Sequence, residues 1–195
     1  MDFQGSALLK AARLCLADTR SEKAAVRVLE YLEGDDWEAA LLLLEDLGDV
    51  YPQPPEFWSL LADAARLMWL KRDADWYAWR SSEARSGALR AELCLMRTED
   101  GGRKGPVLPR GVLRPLWDIG RLTSEGEPLL SIALLWAEGY GRLEPGACAP
   151  VRLLPLRPEH WQHLKPGDVI TMHEVRPPAG TARIIEVMPP VVAAP

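Results

Sequence analysis

Three cysteines and three histidines are all that this 195-residue chain holds of those residue types. Cys15, Cys94 and Cys148 are odd in number and widely spaced, which argues against a disulfide framework and for reduced thiols in the cytoplasm. No HExxH and no cysteine pair at zinc-finger spacing occurs. No G-x-S-x-G surrounds Ser81, Ser82 or Ser86, so a hydrolase nucleophile is not indicated. Apolar runs such as Ala39–Leu44 are far shorter than the roughly twenty residues a bilayer requires, which argues against a membrane partner. The first residues carry an early Asp2 and no basic region, a pattern unlike a secretory signal. No nucleotide-binding G-x-x-x-x-G-K-[ST] is present, because Gly101-Gly102-Arg103-Lys104-Gly105 lacks both the spacing and the following hydroxyl.

The rest is an ordinary globular composition, 48% hydrophobic and 26% charged. Its formal net charge of −5 is unevenly shared. Residues 1–100 carry 12 basic and 19 acidic side chains, a net of −7, whereas residues 101–195 carry 11 and 9, a net of +2. The acidic half would repel a phosphate backbone and attract a basic protein, and the near-neutral half makes no electrostatic case for nucleic acid.

Helical periodicity fills the first half. Ser6 is positioned to cap a helix bearing Leu8, Leu9, Ala12 and Leu16, and Ser21 a second with Ala25, Val28, Leu29 and Leu32 on one side. Gly34 would end the second, and Asp35 with Glu38 has capping-box spacing for a third, Trp37–Leu47, closed by Gly48. Pro55 suits the first turn of a fourth helix, whose inner face is Phe57, Leu60, Leu61, Ala64, Ala65 and Met68. A fifth is expected from Asp73 to Arg97, with a weak point at Gly87. Thr98–Gly105 has the composition of a linker.

Beyond it the period shortens to two, with strands expected at Val112–Ile119, Leu129–Trp136, Pro150–Leu156, Val169–Val175 and Thr181–Val187. Ser124–Glu127 reads as a hairpin loop, and Pro158–Leu164 as a single helical turn. The organising stretch is Leu143–Val187, where Pro145-Gly146 and Pro166-Gly167 are turn signals before β-branched runs. The expected fold class is α+β in two domains, an α-helical bundle over 1–98 and a small antiparallel β-barrel over 106–190. Residues 99–105 would link them, and 191–195 would form a tail.

The Arg114-Pro115-Leu116-Trp117 run, the Pro166-Gly167-Asp168 turn and the small-residue turn at Ala179-Gly180-Thr181 resemble the C-terminal β-barrel of elongation factor Tu over about residues 110–188. In that family the barrel contacts tRNA and the GTPase domain, but no individual tRNA-contact residue matches here, so the resemblance implies a fold and a translation-associated RNA-binding alternative only by analogy. The segment Val28–Leu41, VLEYLEGDDWEAAL, followed by Leu44-Glu45-Asp46-Leu47 and the helix ending Ala64-Ala65-Arg66-Leu67-Met68, is similar to Maf-type helical immunity proteins of bacterial polymorphic toxin systems. That resemblance implies a non-enzymatic protein that binds and neutralises a toxin.

The candidate partner-binding residues are Asp35, Asp36, Glu45, Asp46, Asp49, Trp69 and Trp76. The bland readings are that Asp35 and Asp36 complement a helix N-terminus and that tryptophans pack a core. Against these, Glu45, Asp46 and Asp49 lie near a helix C-terminus, where negative charge gains nothing from the dipole. Eight tryptophans in so short a chain also leave aromatic area for an interface. A basic toxin domain is the expected protein partner, with no cofactor and no resident metal. His160 and His163, at i and i+3, could chelate zinc only with a third ligand such as His173, and they read better as barrel-rim side chains. Cys148 reads as a small strand residue rather than a reactive thiol.

Overall fold

The computed structural model describes residues 3–16, 22–108, 111–139, 141–174 and 177–191. Ser21 and the side chains of Cys15, Leu16 and Ala25 lie outside the described residues. Five helices precede a closed six-stranded antiparallel barrel, so the fold is mixed α+β. Two compact units divide the chain between Arg85 and Ser86, with Val191 belonging to the first.

The helical unit contains α1 (Phe3–Leu16), α2 (Glu22–Glu33), α3 (Trp37–Val50), α4 (Pro55–Leu67) and α5 (Lys71–Ser86). Leu8, Val28, Leu41, Leu44, Phe57, Trp58, Leu61 and Tyr77 form its buried core. Pro55 opens α4, as its missing N–H allows. The capping details differ from expectation at three points. Because α1 begins at Phe3, Ser6 lies inside the helix and does not cap it. Asp36, not Asp35, caps α3, its Oδ1 accepting the Ala39 N–H at 3.3 Å. Gly48 is not a C-cap; α3 continues to Val50, and the glycine leaves room for the Trp58 ring, whose Cη2 would lie 2.5 Å from any Cβ there.

The larger correction concerns the fifth helix. It stops at Ser86; Gly87 turns with φ +78°, and Ala88–Leu95 is a strand, β1. Ala, Leu, Arg and Glu are all good helix formers, so local propensity hid it. Burial of Leu89, Ala91, Leu93 and Leu95 shows the period of two, and pairing on both edges overrides propensity. The expected linker is likewise built into the second unit. Thr98–Asp100 forms a 3₁₀ turn, Gly102 N–H donates to the Arg97 carbonyl at 3.0 Å, and Arg103 pairs with Glu174 at 2.6 Å. In place of the 1–98, 99–105 and 106–190 division, the two units meet between Arg85 and Ser86, upstream of β1. The expected tail begins as part of the helical unit, since Val191 N–H donates to the Ala84 carbonyl at 2.8 Å.

The remaining strands are β2 (Leu116–Asp118), β3 (Ser131–Ala137), β4 (Cys148–Pro155), β5 (Val169–His173) and β6 (Pro178–Met188). Their spatial order is β1-β4-β3-β2-β5-β6, closed into a barrel by β6 on β1. Leu93, Trp117, Leu135, Leu153, Ile170 and Met172 fill the interior. Both Pro-Gly turns form as expected: Gly146 and Gly167 take φ of +81° and +97°, and Ala147 and Asp168 donate back to the carbonyls of Glu144 and Lys165. Ala179-Gly180-Thr181 is not a turn. It lies within β6, where a Cβ on Gly180 would meet the Cys94 carbonyl oxygen at 2.6 Å.

Candidate partner-binding surface

The seven candidate residues all belong to the helical unit, yet they do not share one surface. Glu45, Asp49 and Trp76 are engaged within it. Glu45 faces α5, where its carboxylate accepts from Trp76 Nε1 at 2.9 Å and from the Tyr77 hydroxyl at 2.8 Å. Arg80 reaches Asp49 and, at 3.2 Å, Glu83, while its guanidinium lies 4.1 Å from the Trp58 ring centroid and 5.3 Å from that of Trp76. Trp79 Nε1 donates to Glu83 at 2.6 Å. This is a polar network that seats α5 on α3 and α4, with cation–π contacts over two indoles. Tyr77, Arg80 and Glu83 were not singled out in the sequence, where this segment read only as a helix with a weak point at Gly87. Their signal was the i, i+3 and i, i+4 spacing of Trp76, Trp79, Arg80 and Glu83.

Burial raises the pKa of Glu45 above 4.5, with the Tyr77 and Trp76 hydrogen bonds opposing and the charges of Asp49 and Asp73 adding to the rise. A carboxyl whose folded pKa is raised takes up its proton in the folded state first. Its stabilising contribution is complete below the unfolded pKa and is lost as pH rises through the folded pKa. Glu45→Gln removes this titration. The wild type is therefore expected to gain stability relative to the variant as pH falls from 7 toward 4.5. Urea unfolding of both proteins across that range checks the sign, and a constant difference would refute it.

Asp46 is exposed on the outer side of α3, beside the exposed Leu42 and Val50. Asp35, Asp36 and Trp69 come together elsewhere. The chain leaves α2 and α4 by the same device, in which a left-handed residue follows the helix and two N–H groups turn back onto the last carbonyls. In the first, Asp35 N–H donates to Leu32 and Asp36 N–H to Tyr31; in the second, Trp69 N–H donates to Arg66 and Leu70 N–H to Ala65. Asp35 has φ +58° and Trp69 φ +61°, the two non-glycine residues with positive φ among those described. Aspartate tolerates this conformation; tryptophan has no local reason to adopt it.

Both turns open onto one cleft of about 480 Å³, lined by Asp35, Asp36, Trp37, Glu38, Leu67, Met68 and Trp69. Trp69 is 92% exposed, so it packs no core. Three acidic residues and two tryptophans line a space large enough for a long side chain. Such a site can take up a cation by charge and by cation–π contact, with the aliphatic stem against Leu67 and Met68. Trp37, Leu67 and Met68 were not singled out in the sequence, where they read as helix-end and core positions.

The alternative sites are accounted for differently. His163 Nε2 lies 2.8 Å from the Ile119 carbonyl oxygen, and His173 pairs with Leu116 across β5 and β2. Among the described residues no group of three His, Cys, Asp or Glu is arranged to hold a metal ion. Ser81 donates to the Pro55 carbonyl at 2.9 Å, and Ser82 to that of Ala78 at 3.1 Å. The reading of Cys94 and Cys148 as reduced thiols is overturned, since the two form a disulfide across β1 and β4. They stand 54 residues apart in the chain, and only the barrel's register brings them opposite each other. Among the described helices none is long and apolar enough to cross a membrane. No protein-family model and no curated protein matches the sequence.

Proposed function

We propose that the chain is a non-enzymatic binding protein whose helical unit engages a basic protein surface, and that it acts as an immunity-type protein by occluding a toxin. The observation that carries this reading is the exposed Trp69, held in an unfavourable backbone conformation at a cleft it lines with Asp35, Asp36 and Glu38. Neither folding nor packing accounts for a tryptophan there, whereas a central aromatic anchor ringed by charge is what protein interfaces use. Residues 1–85 carry 10 basic and 16 acidic side chains, a net of −6 that would steer a basic partner toward this unit and repel nucleic acid from it.

The test is capture from host lysate by the full-length chain after RNase treatment, followed by affinity measurement on the captured protein. Neutralising two carboxylates with Asp35→Asn and Glu38→Gln keeps the backbone acceptable, because asparagine tolerates positive φ. The double variant is expected to bind several-fold more weakly at low salt and to show a flatter salt dependence. Binding that ignores both the charges and Trp69 would remove this site from the proposal. RNA retained by the full-length chain when RNase is omitted would favour the translation-associated alternative instead.

A further inference from the structure

We infer that the Cys94–Cys148 disulfide is a solvent-accessible redox clip on the barrel, opened and closed by thiol–disulfide exchange while the barrel stays folded. Its position supplies the argument. Along β1, Leu89, Ala91, Leu93 and Leu95 point into the core, so Arg90, Glu92 and Cys94 belong to the outer face. Along β4, Val151 and Leu153 point inward and Cys148 is exposed. The two cysteines are direct partners at the end of the β1–β4 ladder, and neither belongs to the buried core.

The strands do not depend on the bridge for their pairing. Immediately beyond it, Leu95 N–H donates to the Ala147 carbonyl at 3.0 Å; before it, Leu93 pairs with Ala149 and the ladder runs back to Leu89 with Leu153. The other edge of β1 is paired with β6 from Ala88 to Leu95. Breaking the sulfur–sulfur bond therefore removes no core contact and no backbone hydrogen bond. What it removes is the closure of a 54-residue span in the unfolded chain, so opening the clip lowers the barrel's stability without dismantling it. Exposure of Cys148 is the other requirement, because accessible disulfides exchange with external thiols and enclosed ones do not.

The exchange balances with a dithiol as reductant. One thiolate of the dithiol attacks Cys148 Sγ and expels the Cys94 thiolate, which takes up a proton. The second thiolate of the reagent then attacks its own sulfur in the mixed disulfide and releases Cys148 as a thiolate, which is protonated in turn. The reagent leaves as a cyclic disulfide, oxidised by two electrons, and the protein bridge is reduced by two. Oxidised glutathione reverses the process in two exchange steps, yielding two molecules of reduced glutathione.

Dithiothreitol titration of the native full-length protein, read by maleimide alkylation and mass, tests the inference. In the absence of denaturant, Cys94 and Cys148 are expected to become alkylatable together. Tryptophan emission and near-ultraviolet circular dichroism should stay native, and the melting temperature of the barrel signal should fall by roughly 10 °C or more. Oxidised glutathione should restore the original value. A Cys94→Ser, Cys148→Ser double variant should reproduce the reduced protein's melting temperature and be indifferent to dithiothreitol. Three outcomes overturn the inference: reduction only in denaturant, loss of native spectra on reduction, or free Cys94 and Cys148 in the air-oxidised protein.

Discussion

Trp69→Ala is expected to weaken binding of the captured partner by about thirtyfold or more, a loss of about 2 kcal/mol, while leaving the melting temperature unchanged. A large effect on affinity follows from the ring's being an exposed aromatic surface at a cleft that Asp35, Asp36 and Glu38 also line, where it can take a cation on its face. An absent effect on stability follows from its 92% exposure, since truncation uncovers nothing. Trp69→Gly separates the two roles more sharply. Glycine at the left-handed position after a helix carries no Cβ penalty, so this variant should be more stable than wild type by about 1 kcal/mol and bind no better than Trp69→Ala. Chemical denaturation and titration calorimetry on the same preparations read both quantities. A residue whose removal stabilises the fold and abolishes binding is one retained for binding. If Trp69→Ala lowers the melting temperature by several degrees, or binds as wild type does, the ring is not the anchor.

Trp58→Ala should have the opposite signature, a loss of about 3–5 kcal/mol in the stability of the helical unit. Trp58 is 2% exposed and sits where α3 passes closest, over Gly48. Its ring meets Phe57 edge-on at 5.2 Å between centroids, stacks near Tyr77 at 6.3 Å, and carries the Arg80 guanidinium on its face. Truncation opens a cavity among three helices. It also strips the aromatic seat from an arginine that Asp49 and Glu83 hold in place, so the network over α5 loosens with the core. Urea unfolding followed by helical circular dichroism measures the loss. Trp58→Phe should recover a substantial part of it by keeping an aromatic ring over the glycine, and a cost for Trp58→Ala below about 1.5 kcal/mol would contradict the packing described.

Much of the chain's organisation was legible where a few neighbouring residues decide the conformation. A proline before a glycine sets both corners of a turn, so Pro145-Gly146 and Pro166-Gly167 formed turns where the residues placed them. Pro55 opens a helix because its ring presets the backbone angle and no N–H is wanted there. The last four strands announced themselves by a period near two, and the charge asymmetry between the two halves needed only counting. Three-dimensional partners decided the rest. Ala88–Leu95 carries helix-forming residues and became a strand because β4 and β6 satisfy both of its edges. Gly48 looked like a helix stop and serves as the gap that admits Trp58. The acidic residues from Asp35 to Asp49 looked like one cluster, but a helix turns its successive residues in different directions. Glu45 and Asp49 therefore meet α5, while Asp35 and Asp36 meet Trp69 from the end of another helix. Cys94 and Cys148 could be matched only once the strands were in register. Local chain chemistry determined the two Pro-Gly turns, the Pro55 helix start and the charge asymmetry; long-range packing alone decided which side chains are spent holding the fold and which stay exposed.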